Sequence, residues 1–239
     1  MGIISRMKRP LVIIILVGLV AGLGIGWFLF RRNVDTSPRS LRVMQYIRNA
    51  PSHQEWALPA GTRCANAPFQ MPTSGLIGFL WDDSFRPGHR HTGLDIFGGS
   101  EPGITPVYAA YDGYLSRLPD WKSSLIIRIP ADPLQPDRQI WTYYTHLAKP
   151  DGASLIADAF PAGTNEVFVT AGTLLGWQGN YSGTPDNPTG VHLHFSIVRE
   201  DGQGRFKNET LIENTLDPSP YFGMMLNAQM AGSDAPTCP

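Results

Sequence analysis

The stretch VHLHFSIV, residues 191–198, carries two histidines in alternation with apolar residues. Side chains along a β-strand point to opposite faces in turn, so residues i, i+2 and i+4 share a face. Read as a strand, the segment puts His192, His194 and Ser196 on one side and Val191, Leu193, Phe195 and Ile197 on the other. The second face is wholly apolar and suits a core. The first places two imidazoles side by side, an arrangement costly to bury without a partner.

Two further stretches repeat the pattern. In GHRHTGLDI, residues 88–96, a strand reading turns His91, Gly93 and Asp95 one way and Thr92, Leu94 and Ile96 the other. In IWTYYTHL, residues 140–147, it places Tyr144 and His146 on one face. Three strands thus offer polar faces backed by core. Imidazole nitrogen and carboxylate oxygen together suit Zn²⁺, which takes both at about 2.0–2.2 Å, and a catalytic zinc keeps three protein ligands and one open position. Taken singly, the pieces carry less: a lone histidine in THL also fits a hydrogen-bonded core residue, and HxxxD arises by chance. The three together in one small domain point to a metal site. Tyr144 is read as a core aromatic in preference to an added donor. His89 lies two residues ahead of His91, but Pro87 and Gly88 suggest a turn that takes it away from the metal.

The surrounding texture places these strands in an all-β domain. Short apolar runs separated by Gly, Pro, Asp and Asn follow one another closely: VYAAYDGYLSRL (107–118), SSLIIRIP (123–130), IWTYYTHL, EVFVTAG (166–172), TLLGWQG (173–179) and VHLHFSIV. No long stretch of helical period lies among them. The expectation is a domain over residues 68–225, built of antiparallel strands in two packed sheets or a partly closed, barrel-like form.

Before it, TSPRSLRVMQYIRNAP predicts a short helix. Ser37 caps it, Pro38 fits the first turn, Pro51 ends it, and Leu41, Met44 and Ile47 form its apolar stripe. Residues 31–67 are read as this helix plus a linker, with 51–65 as a tether, and residues 226–239 as a loose, small and polar tail. Cys64 and Cys238, the chain's two cysteines, stand at the margins of the domain. In an oxidising compartment they could bridge a very long loop; otherwise they are two unpaired thiols.

The N-terminus differs in kind. LVIIILVGLVAGLGIGWFLF, residues 11–30, is an uncharged run long enough to cross a bilayer of about 30 Å as a helix. It exceeds a typical signal core and lacks an A-x-A site, which favours an uncleaved anchor over a cleavable signal peptide. Residues 1–10 would then be cytoplasmic, with a weak positive-inside preference. Gly18, Gly22 and Gly26 repeat every four residues, a face that could meet a second helix. Five of the 19 basic residues precede Asn33, whereas all 20 acidic residues follow it. The remainder carries 14 basic against 20 acidic residues, a formal −6, and is a poor footprint for nucleic acid.

With these residues in view, the chain resembles the lysostaphin/LytM-type zinc metallopeptidases, a family with the duplicated hybrid motif fold that cuts peptide bridges in bacterial peptidoglycan. The family pattern is HxxxD, a lone histidine in Y-x-H-L, then H-x-H followed by Phe. Here it reads HTGLD (91–95), YTHL (144–147) and HLHF (192–195), with lesser matches at TPVYAAYDG, AGTLLGWQG and LDPSPYF. The resemblance covers about residues 72–222. Carried over, it implies one Zn²⁺ held by His91, Asp95 and His194, and catalytic histidines at His146 and His192. Spacing alone does not say which histidine of the H-x-H binds metal. In the implied mechanism His192 takes a proton from water and passes it to the leaving amine, and His146 stabilises the oxyanion; which of the two is the principal base stays open. One departure is NYSGTPDNPTG (180–190), inserted ahead of the H-x-H, which could build a groove wall beside His192.

These expectations combine into an anchored peptidoglycan endopeptidase, single-pass in the cell membrane, with its catalytic domain on the extracytoplasmic side. The alternative is a non-cutting wall-binding or regulatory module of the same fold that activates another hydrolase. Retention of all five positions favours the enzyme. A zinc D,D-carboxypeptidase pattern does not fit, since no E-x-x-H occurs in the chain.

Overall fold

The computed structural model of this protein describes residues 37–84 and 88–239. The expected cytoplasmic segment, membrane span and glycine face all lie outside those residues. Among the described residues, no helix is long and apolar enough to cross a membrane.

Helix α1 spans Pro38–Arg48, and its start follows the expected chemistry: the Ser37 side chain accepts a hydrogen bond from the Ser40 N–H, and Pro38 occupies the first turn. Its docked face differs from the expected stripe. Ser40, Val43 and Tyr46 are buried and Ile47 partly so, whereas Leu41 and Met44 are exposed. The helix is rolled so that Val43 and Tyr46 pack on Leu76 and Phe97 while Arg39 and Arg42 reach the C-terminal segment.

Ten strands follow among the described residues: β1 (Ala57–Leu58), β2 (Gly75–Phe79), β3 (Leu94–Phe97), β4 (Pro106–Tyr108), β5 (Gly113–Ser116), β6 (Leu125–Ile129), β7 (Ile140–Thr145), β8 (Val167–Val169), β9 (Leu174–Trp177) and β10 (Leu193–Arg199). Eight form one antiparallel sheet in the order β1-β2-β3-β10-β7-β6-β5-β8, and β4 pairs with β9 in a two-stranded ribbon. The all-β, antiparallel expectation holds. The barrel-like expectation does not: β1 and β8 are separate edges and the sheet stays open.

Alternation sorts the sheet's two faces. Leu94, Ile96, Leu125, Ile127, Ile140, Tyr144, Leu193, Phe195 and Ile197 all belong to one buried cluster. At roughly 1.5–3 kcal/mol for each large apolar side chain removed from water, this face supplies much of the driving force for folding. On the opposite face, Asp95 of β3, His194 of β10 and Thr145 of β7 lie in one cross-strand row.

Two segments expected to be loose are built in. Residues 51–65 do not form a free tether: Ala57 and Leu58 pair with β2, and Cys64 is buried. The 226–239 tail is tied down as well. Asn227 bridges to Trp81, Arg39 donates to the carbonyls of Ala231 and Gly232, and Cys238 is disulfide-bonded to Cys64. The bridge joins residues 174 positions apart, so a large loop-closure entropy is removed from the unfolded chain.

Candidate metal centre and groove

The site forms where β3 and β10 pair. Asp95 stands directly opposite His194 in the register, and both point to the polar face. His91 lies in the loop before β3, not on the strand as the alternation reading had it, yet its ring swings to the same point. This close approach depends on Gly93. A β-carbon there would fall 2.1 Å from the Phe195 carbonyl oxygen and 2.6 Å from Ser196 Oγ, far inside contact distance.

Three donor atoms converge. His91 Nε2 is 3.1 Å from Asp95 Oδ1 and 3.1 Å from His194 Nδ1, and His194 Nδ1 is 2.8 Å from Asp95 Oδ1. The three side chains bring their ligand atoms within 4.8 Å of one another, a set that could hold a metal ion. Ligands about 2.0–2.1 Å from a tetrahedral ion stand ~3.3 Å apart, so the triangle needs only a few tenths of an ångström of expansion. The outer nitrogens are anchored in the way metal-binding imidazoles usually are. His91 Nδ1 donates to the Leu80 carbonyl at 2.8 Å, and His194 Nε2 lies 2.9 Å from Ser196 Oγ.

His192 and His146 complete the cluster from one side. His192 Nε2 is 3.6 Å from Asp95 Oδ1, and the His146 and His192 ring centroids are 4.5 Å apart. Each directs Nδ1 at a backbone carbonyl, His192 at Gly190 and His146 at Tyr181, both at 2.7 Å. A carbonyl only accepts, so Nδ1 carries the proton and Nε2 carries the lone pair in both neutral rings. Two bare Nε2 atoms therefore accompany the donor triad.

His146 reaches this position by a backbone turn that strand alternation does not predict. β7 ends at Thr145, and His146 adopts φ +73°, in the left-handed region. The turn moves its ring off the face it would share with Tyr144. Tyr144 is a core residue, stacked edge-on against Phe195, and its hydroxyl accepts the Ala110 N–H. On the site face stand Tyr143 and Thr145, joined through Ser124 by bonds of 2.9 and 2.6 Å. These hydroxyls were not singled out in the sequence, because IWTYYTHL carries no mark of which tyrosine faces the site. His89 lines the groove but is not among the three residues of the metal-binding set.

The electrostatics follow from burial and from Asp95. Burial acts to raise the Asp95 carboxyl, but His91, His192 and His194 outweigh it and hold it well below the usual carboxylate range. Burial lowers His91, and Asp95 more than compensates, leaving it raised. Burial lowers His192 and His194 despite the carboxylate. Burial and then the neighbouring His192 push His146 down to about 4, so it is neutral at pH 7.

A groove of about 710 Å³ runs over the cluster. One wall is the 180–190 insertion, which contributes Tyr181, Ser182, Gly183, Thr189 and Gly190. Its role exceeds that of a wall, because it also supplies the two carbonyls that orient His146 and His192. The other wall includes Val43 and Ile47 of α1.

No protein-family model matches the chain, and no curated protein matches it. Among solved structures it is similar to the catalytic domain of the antimicrobial peptidase lysostaphin from Staphylococcus simulans. That match has 20% identity over 61% of this chain and 88% of that one, with a TM-score of 0.39. It is also similar to a putative glycyl-glycine endopeptidase LytM from Ruminococcus gnavus, at 24% identity over 54% of this chain and 45% of that one, TM-score 0.37. A putative peptidase M23 from Pseudomonas aeruginosa matches at 19% identity over 76% of this chain and 61% of that one, TM-score 0.37.

Proposed function

We propose that this chain is a membrane-anchored zinc metalloendopeptidase that hydrolyses peptide cross-links of bacterial peptidoglycan, with its catalytic domain on the extracytoplasmic side. One observation carries the reading: two imidazole nitrogens and a carboxylate oxygen meet at one point, beside two further histidines whose Nε2 atoms are bare. The substrate class comes from the resemblance of HTGLD, YTHL and HLHF to the lysostaphin/LytM-type pattern. The anchor rests on the apolar run 11–30. The Cys64–Cys238 bridge accords with an oxidising, extracytoplasmic setting.

His91, Asp95 and His194 would hold the ion, and the donor set of two nitrogens and one oxygen suits zinc. When bound, zinc supplies Lewis acidity, bringing the pKa of a coordinated water to about 7. The chain's own residues manage the protons. His192 Nε2, with its lone pair directed into the site by the Nδ1–H to Gly190, accepts a proton from the attacking water and returns it to the departing amine. His146 has the same bare Nε2, so it is also an acceptor in its neutral form and donates to an oxyanion only once protonated. The order in which the two rings take up the proton assigns base and donor. The groove over the cluster, lined in part by the insertion and by α1, would receive the peptide.

The test is mass spectrometry of the products released from purified sacculi by the full-length chain, wild type beside Asp95→Ala. Release of muropeptides by the wild type alone supports the endopeptidase and identifies the bond cut. Equal release by both, or none by a zinc-loaded wild type, removes it.

A further inference from the structure

Two of the contacts that hold His192 lead to the helix that precedes the sheet. Its ring lies nearly parallel to that of Phe97, with centroids 5.1 Å apart and planes 26° apart. Its Nδ1 proton goes to the Gly190 carbonyl. Ile47 of α1 packs against the cluster that contains Phe97, and a methyl group built on Gly190 would sit 3.6 Å from Ile47 Cδ1 and 3.6 Å from Phe97 Cε1. Phe97 packs with Val43 and Tyr46 of the same helix. Val43 sits close against β2, where a side chain at Gly78 would strike its Cγ2 at 2.4 Å.

The helix itself is clamped from behind. Arg39 pairs with Asp83 at 3.2 Å and donates to the Ala231 and Gly232 carbonyls, and Arg42 donates to Ser233. Those three acceptors belong to the segment that ends in the Cys64–Cys238 bridge.

We infer that α1 is a positioning element for the proposed general base, with Ile47 fixing His192 through Phe97 and Gly190. The inference rests on the endopeptidase reading given above. Ile47 touches neither the donor triad nor, on this reading, the reacting bond. It keeps the Phe97 ring flat against His192 and the Gly190 carbonyl in line with Nδ1, and those two constraints set the direction of the Nε2 lone pair. Without the Ile47 side chain both neighbours gain room, and the imidazole samples orientations that miss the attacking water. Small misplacements of this kind cost up to about a hundredfold in rate.

The experiment compares the full-length wild type, Ile47→Ala and Ile47→Leu by three measurements: bound zinc, kcat and KM for muropeptide release, and ¹⁵N-histidine NMR of the hydrogen-bonded ring N–H protons. Ile47→Ala is expected to keep its zinc, lose roughly tenfold in kcat with KM changed less than twofold, and show faster solvent exchange of the His192 Nδ1 proton. Ile47→Leu, which conserves volume, is expected to keep zinc and to restore kcat and the slow exchange of the His192 Nδ1 proton. Arg39→Ala, which loosens the clamp without touching the groove, is expected to move kcat in the same direction by a smaller factor. Wild-type kinetics in Ile47→Ala, an unchanged His192 proton, or loss of kcat only in parallel with loss of zinc each overturns the inference. Inactivity of the wild type itself would instead remove the endopeptidase reading and leave the NMR comparison to judge the positioning role.

Discussion

His146 Nδ1 and His192 Nδ1 each donate to a backbone carbonyl 2.7 Å away, and both carbonyls, those of Tyr181 and Gly190, belong to the 180–190 insertion. One loop therefore fixes the tautomer of two histidines that come from different parts of the chain. With Nδ1 protonated in both, each ring presents an unprotonated Nε2 at neutral pH. The first prediction concerns these two atoms. His146→Ala and His192→Ala are each expected to lower kcat by about 10²–10⁴ while retaining zinc, since neither belongs to the donor triad. Elemental analysis beside turnover checks this, and loss of zinc from either variant would place that histidine in the ligand set.

Asp95 Oδ1 lies within 3.1 Å of both ligand nitrogens of the triad. Asp95→Asn conserves the volume of the side chain and removes its charge. Zinc affinity is expected to fall by roughly a hundredfold or more, a loss that removal of an orienting partner alone can reach. Titration with a competing chelator measures it, and wild-type affinity would contradict the assigned triad.

Gly93→Ala tests the same centre through the backbone. The added methyl would collide with the Phe195 carbonyl and Ser196 Oγ, forcing β3 away from β10 and separating His91 and Asp95 from His194. Zinc binding is expected to weaken and the melting temperature to fall, although no ligand has changed. A variant with unaltered zinc affinity and melting temperature would show that the strands tolerate the displacement.

The contribution of His146 to the stability of the zinc-free domain should decline as pH falls from 6.5 toward 4. In that window the folded chain keeps His146 neutral, with a pKa of about 4, whereas the unfolded chain, near 6.5, binds the proton. Stability therefore declines as pH drops through the window and this contribution levels off below it. His146→Gln removes the effect while His91, His192 and His194 stay common to both proteins. The wild-type urea midpoint is expected to fall more steeply between pH 6.5 and 4; parallel curves would refute the assignment.

Cys238→Ser releases the C-terminal segment. The expected loss of unfolding free energy is about 2–5 kcal/mol, the range for removing a native bridge. Denaturant melts under non-reducing conditions measure it. Because Arg39 and Arg42 hold α1 to that segment, a rise in exchange of the α1 amides should accompany the loss. Intact α1 protection would show that the helix is secured by Val43 and Tyr46 alone.

Much of the fold was legible because strand alternation is a local property. VHLHFSIV divided into an apolar back and a polar front, and the structure buries Leu193, Phe195 and Ile197 on one side with His194 on the other. The same reasoning failed for IWTYYTHL. There the alternation ends one residue early, and φ +73° at His146 turns the imidazole to the face that Tyr144 does not share. It failed again for the apolar stripe of α1, where Leu41 and Met44 face solvent because Arg39 and Arg42 take partners in the distant C-terminal segment. The tether and the tail were misread for a related reason. Their composition is polar, and what orders them is a strand pairing and a covalent bridge to residues far along the chain.

The sequence by itself determined the antiparallel β character and the short capped helix, both of which follow from side chains within a few positions of one another, where period and turn chemistry leave few choices. It marked His91, Asp95, His192 and His194 on polar strand faces, while the division of these and His146 into ligands and catalytic histidines was implied by the family resemblance. Only the tertiary structure decided that the sheet stays open, that Cys64 reaches Cys238, and that Tyr181 and Gly190 orient the two non-triad histidines. Those outcomes depend on backbone carbonyls and on pairings between remote segments. Every residue carries the same carbonyl, so no choice of side chain announces which one a folded chain will bring to an imidazole.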